Sequence, residues 1–361
     1  MGRDSEVNVS DSSVAAEVKL PSWGLAPAVE ITRGEFIESV HHAAAAVVDS
    51  EGNLIAHLGD PDLLTFSRSS LKPFQALASV RRGFPERFSL TPRHLALACA
   101  SHSGEDYHIA IAQEILAAVG ATVDDLQCGV HIPLIYRPEE PPIPPKSAFS
   151  ALHNNCSGKH AGMLALAQMT GTPKDRYLAV DSPGQMAIRE TVVEMLSLQP
   201  DEIRLGIDGC SAPNYAVRLR ALAHAYARLA QSANPRLGKS LAGEPGAAIV
   251  RAMIGHPEVV SGTGRLDLAL AKVSRGSLFT KAGGEAVECV GIPERGWGIA
   301  TKVGDGGTRA VGPALIGLLH QLGVLTDSAV AELQPFANPT LRNHRAIAIG
   351  TARYVGELAR D

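Results

Sequence analysis

The sequence predicts an α/β protein whose sheet joins strands from both ends of the chain. Short β-like runs appear at 29–33, 42–49 and 54–58, and alternating runs return at 286–292 and 297–303. The intervening chain is dominated by helical spacing. The residues are 45% apolar but only 4% aromatic, with 35 glycines, so the core relies on close backbone approach more than on large rings.

In order, residues 1–26 read as a polar, Ser- and acid-rich tail, and 27–361 as a single α/β domain. Residues 42–58 read as a β-hairpin turning at Ser50-Glu51-Gly52-Asn53. From Ser69 to Val80 the apolar residues Leu71, Phe74, Leu77 and Ala78 fall at helical spacing. Pro73 is tolerated only in a first turn, so Ser69 lies at the helix N-terminus. Thr91-Pro92 opens an apolar helix over 93–100. Ser103 with Asp106 three residues on resembles a capping box that starts another. The Pro-rich run 137–145 is an irregular connector. Helices follow over 157–169, 186–198 and 216–232, an alternating run at 203–207 and a final long helix over 309–322.

Net charge is −4, which leaves no basic surplus for nucleic acid. No uninterrupted apolar stretch of about 18 residues is present, and the N-terminus lacks an apolar signal region. A cytoplasmic location is expected. Five widely spaced cysteines then read as core thiols, metal ligands or redox groups rather than disulfides.

Four stretches carry chemistry. Ser69-x-x-Lys72 puts a hydroxyl and an amine on one helix face, where a neutral amine takes the hydroxyl proton during attack on a carbonyl. A base near pH 7–8 requires the lysine to sit about 2.5–3 pKa units below its usual value. The alternative is a helix cap beside a surface lysine. Ser101-His102 follows an apolar helix; adjacent residues point apart, so the pair is no dyad by itself. Cys156-x-x-Lys159 with the distant Cys210 offers two thiols and an amine to a soft metal, with His153, His160 and Asp208 as further donors. The alternative is two core thiols beside glycine turns. Lys281-x-Gly heads an expected strand, as in serine acyl-transfer enzymes that face an edge-strand lysine toward a Ser-x-x-Lys helix. No zincin motif, P-loop or clean dinucleotide fingerprint occurs.

Four segments occur together in order: Arg68-Ser69-Ser70-Leu71-Lys72-Pro73-x-Gln75-Ala76-Leu77, Cys99-Ala100-Ser101-His102-Ser103-x-Glu105, Asn155-Cys156-Ser157-Gly158-Lys159-His160-x-Gly162-Met163 and Asp208-Gly209-Cys210-x-x-Pro213. The set resembles the rhizobial-type (class 3, asparaginase II-like) L-asparaginases, from about Val29 into the C-terminal third. The resemblance implies a fold like serine β-lactamases and penicillin-binding proteins, with a mixed, mainly antiparallel sheet and flanking helices. It implies a homodimer hydrolysing L-asparagine to L-aspartate and ammonia. Ser69 matches the nucleophile and Lys72 its partner; Ser101 and Lys281 match a second Ser-Lys pair. Arg68, Asp208 and His160 fall around the substrate. Zinc falls on Cys156, Lys159 and Cys210, completed by water, as an aid to substrate affinity. A substrate α-carboxylate needs a cation, for which Arg68 and Arg265 are the candidates. Two other readings stay open: a β-lactamase or D-alanyl peptidase type of hydrolase, and a non-catalytic zinc-binding domain.

Overall fold

The computed structural model describes residues 24–136 and 142–360. Most of the expected tail, residues 1–23, the first part of the Pro-rich connector, residues 137–141, and residue 361 lie outside these.

The main sheet has the order β10 (Thr340–Arg342), β11 (Ala348–Tyr354), β1 (Ala26–Arg33), β2 (Phe36–Val48), β9 (Trp297–Val303), β8 (Val287–Ile292) and β7 (Phe279–Gly283). β3 (Leu54–Leu58) adds to β2, and β12 (Ala359–Arg360) adds to β3. Every pairing among the described residues is antiparallel. The architecture is thus a mixed α/β fold with an antiparallel sheet and flanking helices, and its N- and C-terminal strands interleave. The 42–58 hairpin forms as β2 and β3, with Ala46 opposite His57.

β2 explains the alanine-rich composition. Its alternate residues Ala44, Ala46 and Val48 enter one core with Phe74, Leu97 and Leu222. Ala43, Ala45 and Val47 enter a second core with Leu315 and Leu319. A strand buried on both faces cannot alternate polar and apolar residues, and small side chains let helices approach from both sides. Helix Leu219–Ser232 lies so close that a Cβ on Gly298 of β9 would sit 1.9 Å from the Ala223 carbonyl oxygen.

A second sheet, β4 (Leu64–Phe66), β6 (Pro213–Arg218) and β5 (Arg204–Ile207), holds the turn before Ser69. β6 occupies residues expected as loop and helix start, so the helix begins at Leu219 rather than 216. The Ala/Leu pattern conceals the change because Ala216 and Val217 suit either element. The helix after Ser101 also differs: Glu105, not Ser103, is its N-cap, and its N–H donates to His108 Nδ1 at 3.2 Å. The long helix expected over 309–322 runs Val311–Gln321 after a 3₁₀ turn at Thr308–Ala310, and two short helices, Asp327–Glu332 and Gln334–Ala337, follow it.

Candidate active site

Ser69 lies in a 3₁₀ turn, Arg68–Leu71, that leads directly into helix Lys72–Val80 with Pro73 in its first turn. Arg68 is held at φ +53°, a left-handed conformation that a side-chain-bearing residue adopts at a cost of about 1–3 kcal/mol. β6 sustains it. Asn214 Oδ1 accepts from Arg68 N–H at 3.1 Å and from Ser67 Oγ at 3.3 Å, while Ser67 Oγ also reaches the Tyr215 carbonyl at 2.8 Å. Arg68 Nε donates to Asp208 Oδ1 at 2.8 Å, and Glu285 lies 3.9 Å from its other end. The half-buried Ser69 hydroxyl thereby reaches a cavity of about 490 Å³, and among the described residues it makes no hydrogen bond.

Ser101 follows helix Pro92–Ala98, with its N–H donating to the Val260 carbonyl at 2.9 Å. Its hydroxyl sits between two amines, Lys72 Nζ at 2.9 Å and Lys281 Nζ at 2.8 Å. The sequence spacing pairs Lys72 with Ser69; the structure instead turns Lys72 toward Ser101 and the Ala100 carbonyl, 2.6 Å away. Lys281 enters from β7, the edge strand of the main sheet, and also donates to the Ala282 carbonyl at 2.7 Å. Both lysines are almost fully buried. Burial pushes the Lys72 amine below its usual value, and the Lys159 cation adds to this. Lys281 is lowered to about 7, again by burial first and then by Lys72; the Asp267 and Glu288 carboxylates offset part of the shift. Mutual repulsion of the lysines contributes, but loss of water is the larger effect.

The third cluster lies beside these. Helix Ser157–Thr170 carries Lys159, whose Nζ is 2.9 Å from Cys210 Sγ. The neighbouring Cys210 thiol, with Lys72 and Lys159, draws Cys156 well below its usual value, while Cys156 and burial push Cys210 up. Burial disfavours the Lys159 cation, yet the two sulfurs outweigh it and hold its amine above the ordinary value. Among the described residues, no group of three or more His, Cys, Asp or Glu side chains is arranged to hold a metal. Two thiols and a lysine are nevertheless brought together.

Of the residues singled out in the sequence, Arg68, Ser69, Ser101, Cys156, Asp208, Cys210 and Arg265 line the cavity. Lys72, Lys159 and Lys281 stand behind its wall. His160 does not line it: the ring is fully buried and its Nδ1 meets the Tyr177 hydroxyl at 2.6 Å. His131, Asn155 and Thr308 also reach the cavity. Asn155 is part of a motif, whereas His131 and Thr308 belong to no pattern that marks them. His102 is buried and neutral, its Nδ1 accepting from Gly104 N–H and its Nε2 facing Ser157 Oγ at 2.9 Å. It ties the Ser101 loop to the helix bearing Lys159.

The family model for L-asparaginase II matches residues 29–354. The chain belongs to the L-asparaginase II family. No curated relative matches. Two crystal structures of Mglu, one in its native form in 4.3 M NaCl and one in its native form, align at 13% and 14% identity. Their TM-scores are 0.37 and 0.36, and the alignments cover 79% of this chain but 62% and 65% of theirs. The chain spans less than two thirds of those proteins, a likeness too low to bear on this asparaginase-family site. Among the described residues, no helix is long and apolar enough to cross a membrane.

Proposed function

We propose that this protein hydrolyses L-asparagine to L-aspartate and ammonia through an aspartyl ester on Ser69. The observation that carries the reading is the Ser101 hydroxyl between two buried amines, in the wall of the cavity that Ser69 enters. An amide must acquire a proton on nitrogen before ammonia can leave, and a hydroxyl bridging two lysines is suited to deliver one. Ser69 Oγ attacks the side-chain amide carbon, and its proton passes to neutral Lys72, which turns from Ser101 toward Ser69 to take it. The Ser69 N–H, which makes no hydrogen bond among the described residues, serves the developing oxyanion. Ser101 protonates the leaving nitrogen and is reprotonated by a lysine; water then hydrolyses the ester. Asp208, on the cavity wall, receives the substrate α-ammonium.

The same reading makes residues 27–361 one catalytic domain of the serine β-lactamase and penicillin-binding type. It is supported by a Ser-x-x-Lys turn at a helix start facing a lysine on the edge strand. It also carries a cytoplasmic homodimer.

The test is ammonia release from L-asparagine across pH. With Lys281 at about 7, kcat/KM should rise roughly tenfold per pH unit below that value and level off above it, because a Lys281 cation beside Lys72 blocks Lys72 from taking the Ser69 proton. A rate flat from about pH 5 to 8 would remove the amine from the mechanism.

Zinc belongs to this reading through Cys156, Lys159 and Cys210. The soft donor set fits, and the Lys159 proton must be displaced when the metal enters. A bound cation would strengthen substrate binding electrostatically. Zinc affinity, measured by chelator competition, should fall steeply from about pH 8 to 6 and be lost in Cys156→Ala while surviving in Ser69→Ala. Affinity insensitive to both pH and Cys156→Ala would remove the metal from this cluster.

A further inference from the structure

The cavity holds two arginines, and only one is committed. Arg68 is bound to Asp208 at 2.8 Å and faces Glu285 at 3.9 Å. Arg265 is half-buried in the cavity wall and makes no ion pair among the described residues. The neighbouring Asp267 carboxylate is already used: its Oδ1 accepts from Thr280 Oγ1 at 2.9 Å and from Ala282 N–H at 3.1 Å.

Arg265 is also held in place. It is the N-cap of helix Leu266–Ser274, at the end of the 261–265 loop. Glu105 grips that loop from the far side, with Oε1 accepting from Thr263 N–H at 2.9 Å and Oε2 from Thr263 Oγ1 at 2.8 Å. Gly262, at φ +132°, presses onto the same segment; a Cβ there would lie 2.4 Å from Ser103 Oγ. The segment that supplies Ser101 therefore also anchors the loop presenting Arg265. One structural unit sets the spacing between the proton relay and a free guanidinium.

We propose that Arg265 binds the α-carboxylate of the substrate, so that the site takes free amino-acid amides and discriminates against asparagine whose α-carboxyl is blocked. This rests on the asparaginase reading above. A guanidinium presents a planar fork that matches a carboxylate, and a partly desolvated pair of this kind is stronger than one in open water. Arg68 cannot serve equally without giving up Asp208.

The experiment compares L-aspartate with L-asparagine α-methylamide by calorimetric binding, and L-asparagine with the same methylamide by ammonia release. Wild type, Arg265→Gln and Arg265→Lys are used throughout. Arg265→Gln should weaken L-aspartate binding roughly 100-fold and erase the preference for the free carboxylate, with Arg265→Lys restoring part of it. Equal loss on carboxylate and methylamide ligands, or undiminished L-aspartate binding, would overturn the proposal. The binding arm needs no turnover. Arg265-dependent L-aspartate binding without ammonia release therefore supports carboxylate recognition while rejecting the hydrolase reading.

Discussion

Ser69→Ala is expected to lower ammonia release from L-asparagine by about 10⁴-fold or more while leaving the fold intact. The hydroxyl has no internal hydrogen bond among the described residues, so its removal leaves no buried partner unsatisfied. Ser101→Ala should behave differently. It removes the hydroxyl between Lys72 and Lys281, leaving two buried amines to face each other across a gap. Turnover should fall sharply, yet slow acylation of Ser69 should persist because the nucleophile remains. Assaying both variants under saturating substrate separates the roles. Comparable residual activity in Ser69→Ala and wild type would dispose of Ser69 as nucleophile.

Gly158→Ala should be the most damaging single-methyl change in the site's scaffold. A Cβ at 158 would lie 2.4 Å from the Leu97 carbonyl oxygen and 2.5 Å from Leu97 Cγ. Leu97 belongs to the helix that delivers Ser101, and Gly158 opens the helix that delivers Lys159. The two helices must separate, which strains packing between Ser101 and the thiol cluster. Overpacking of this kind costs about 3 kcal/mol. Denaturant titration should show the loss directly. Gly171→Ala is an informative contrast, because there a Cβ meets nothing within 4 Å and only the backbone conformation, φ +71°, is strained. If Gly158→Ala is as stable as wild type, the close approach of these helices is not required.

These glycine effects show why the motifs were legible while their geometry was not. Ser69, Lys72, Cys156, Lys159 and Cys210 stand out because their residue types and spacings have direct chemical meaning. The terminal strands are readable from alternation, and the antiparallel sheet follows. The partner of Lys72 is another matter. An i,i+3 spacing places it on the face of Ser69, but burial against the Ala100 carbonyl sends the amine to Ser101. Tertiary desolvation decides this, and no local pattern encodes it. Asn214, which sustains the turn before Ser69, lies in a strand whose end, Ala216–Arg218, merges with the Ala/Leu-rich pattern of the helix that follows. His160 follows Lys159 directly, yet the helix turns it to Tyr177 and away from the cavity.

The most direct measurement is intact-protein and peptide mass spectrometry of the enzyme quenched during turnover of L-asparagine. An aspartyl adduct on the peptide containing Ser69, absent in Ser69→Ala, is the predicted result. Steady ammonia release with the adduct on Ser101, or an adduct that persists in Ser69→Ala, would contradict it.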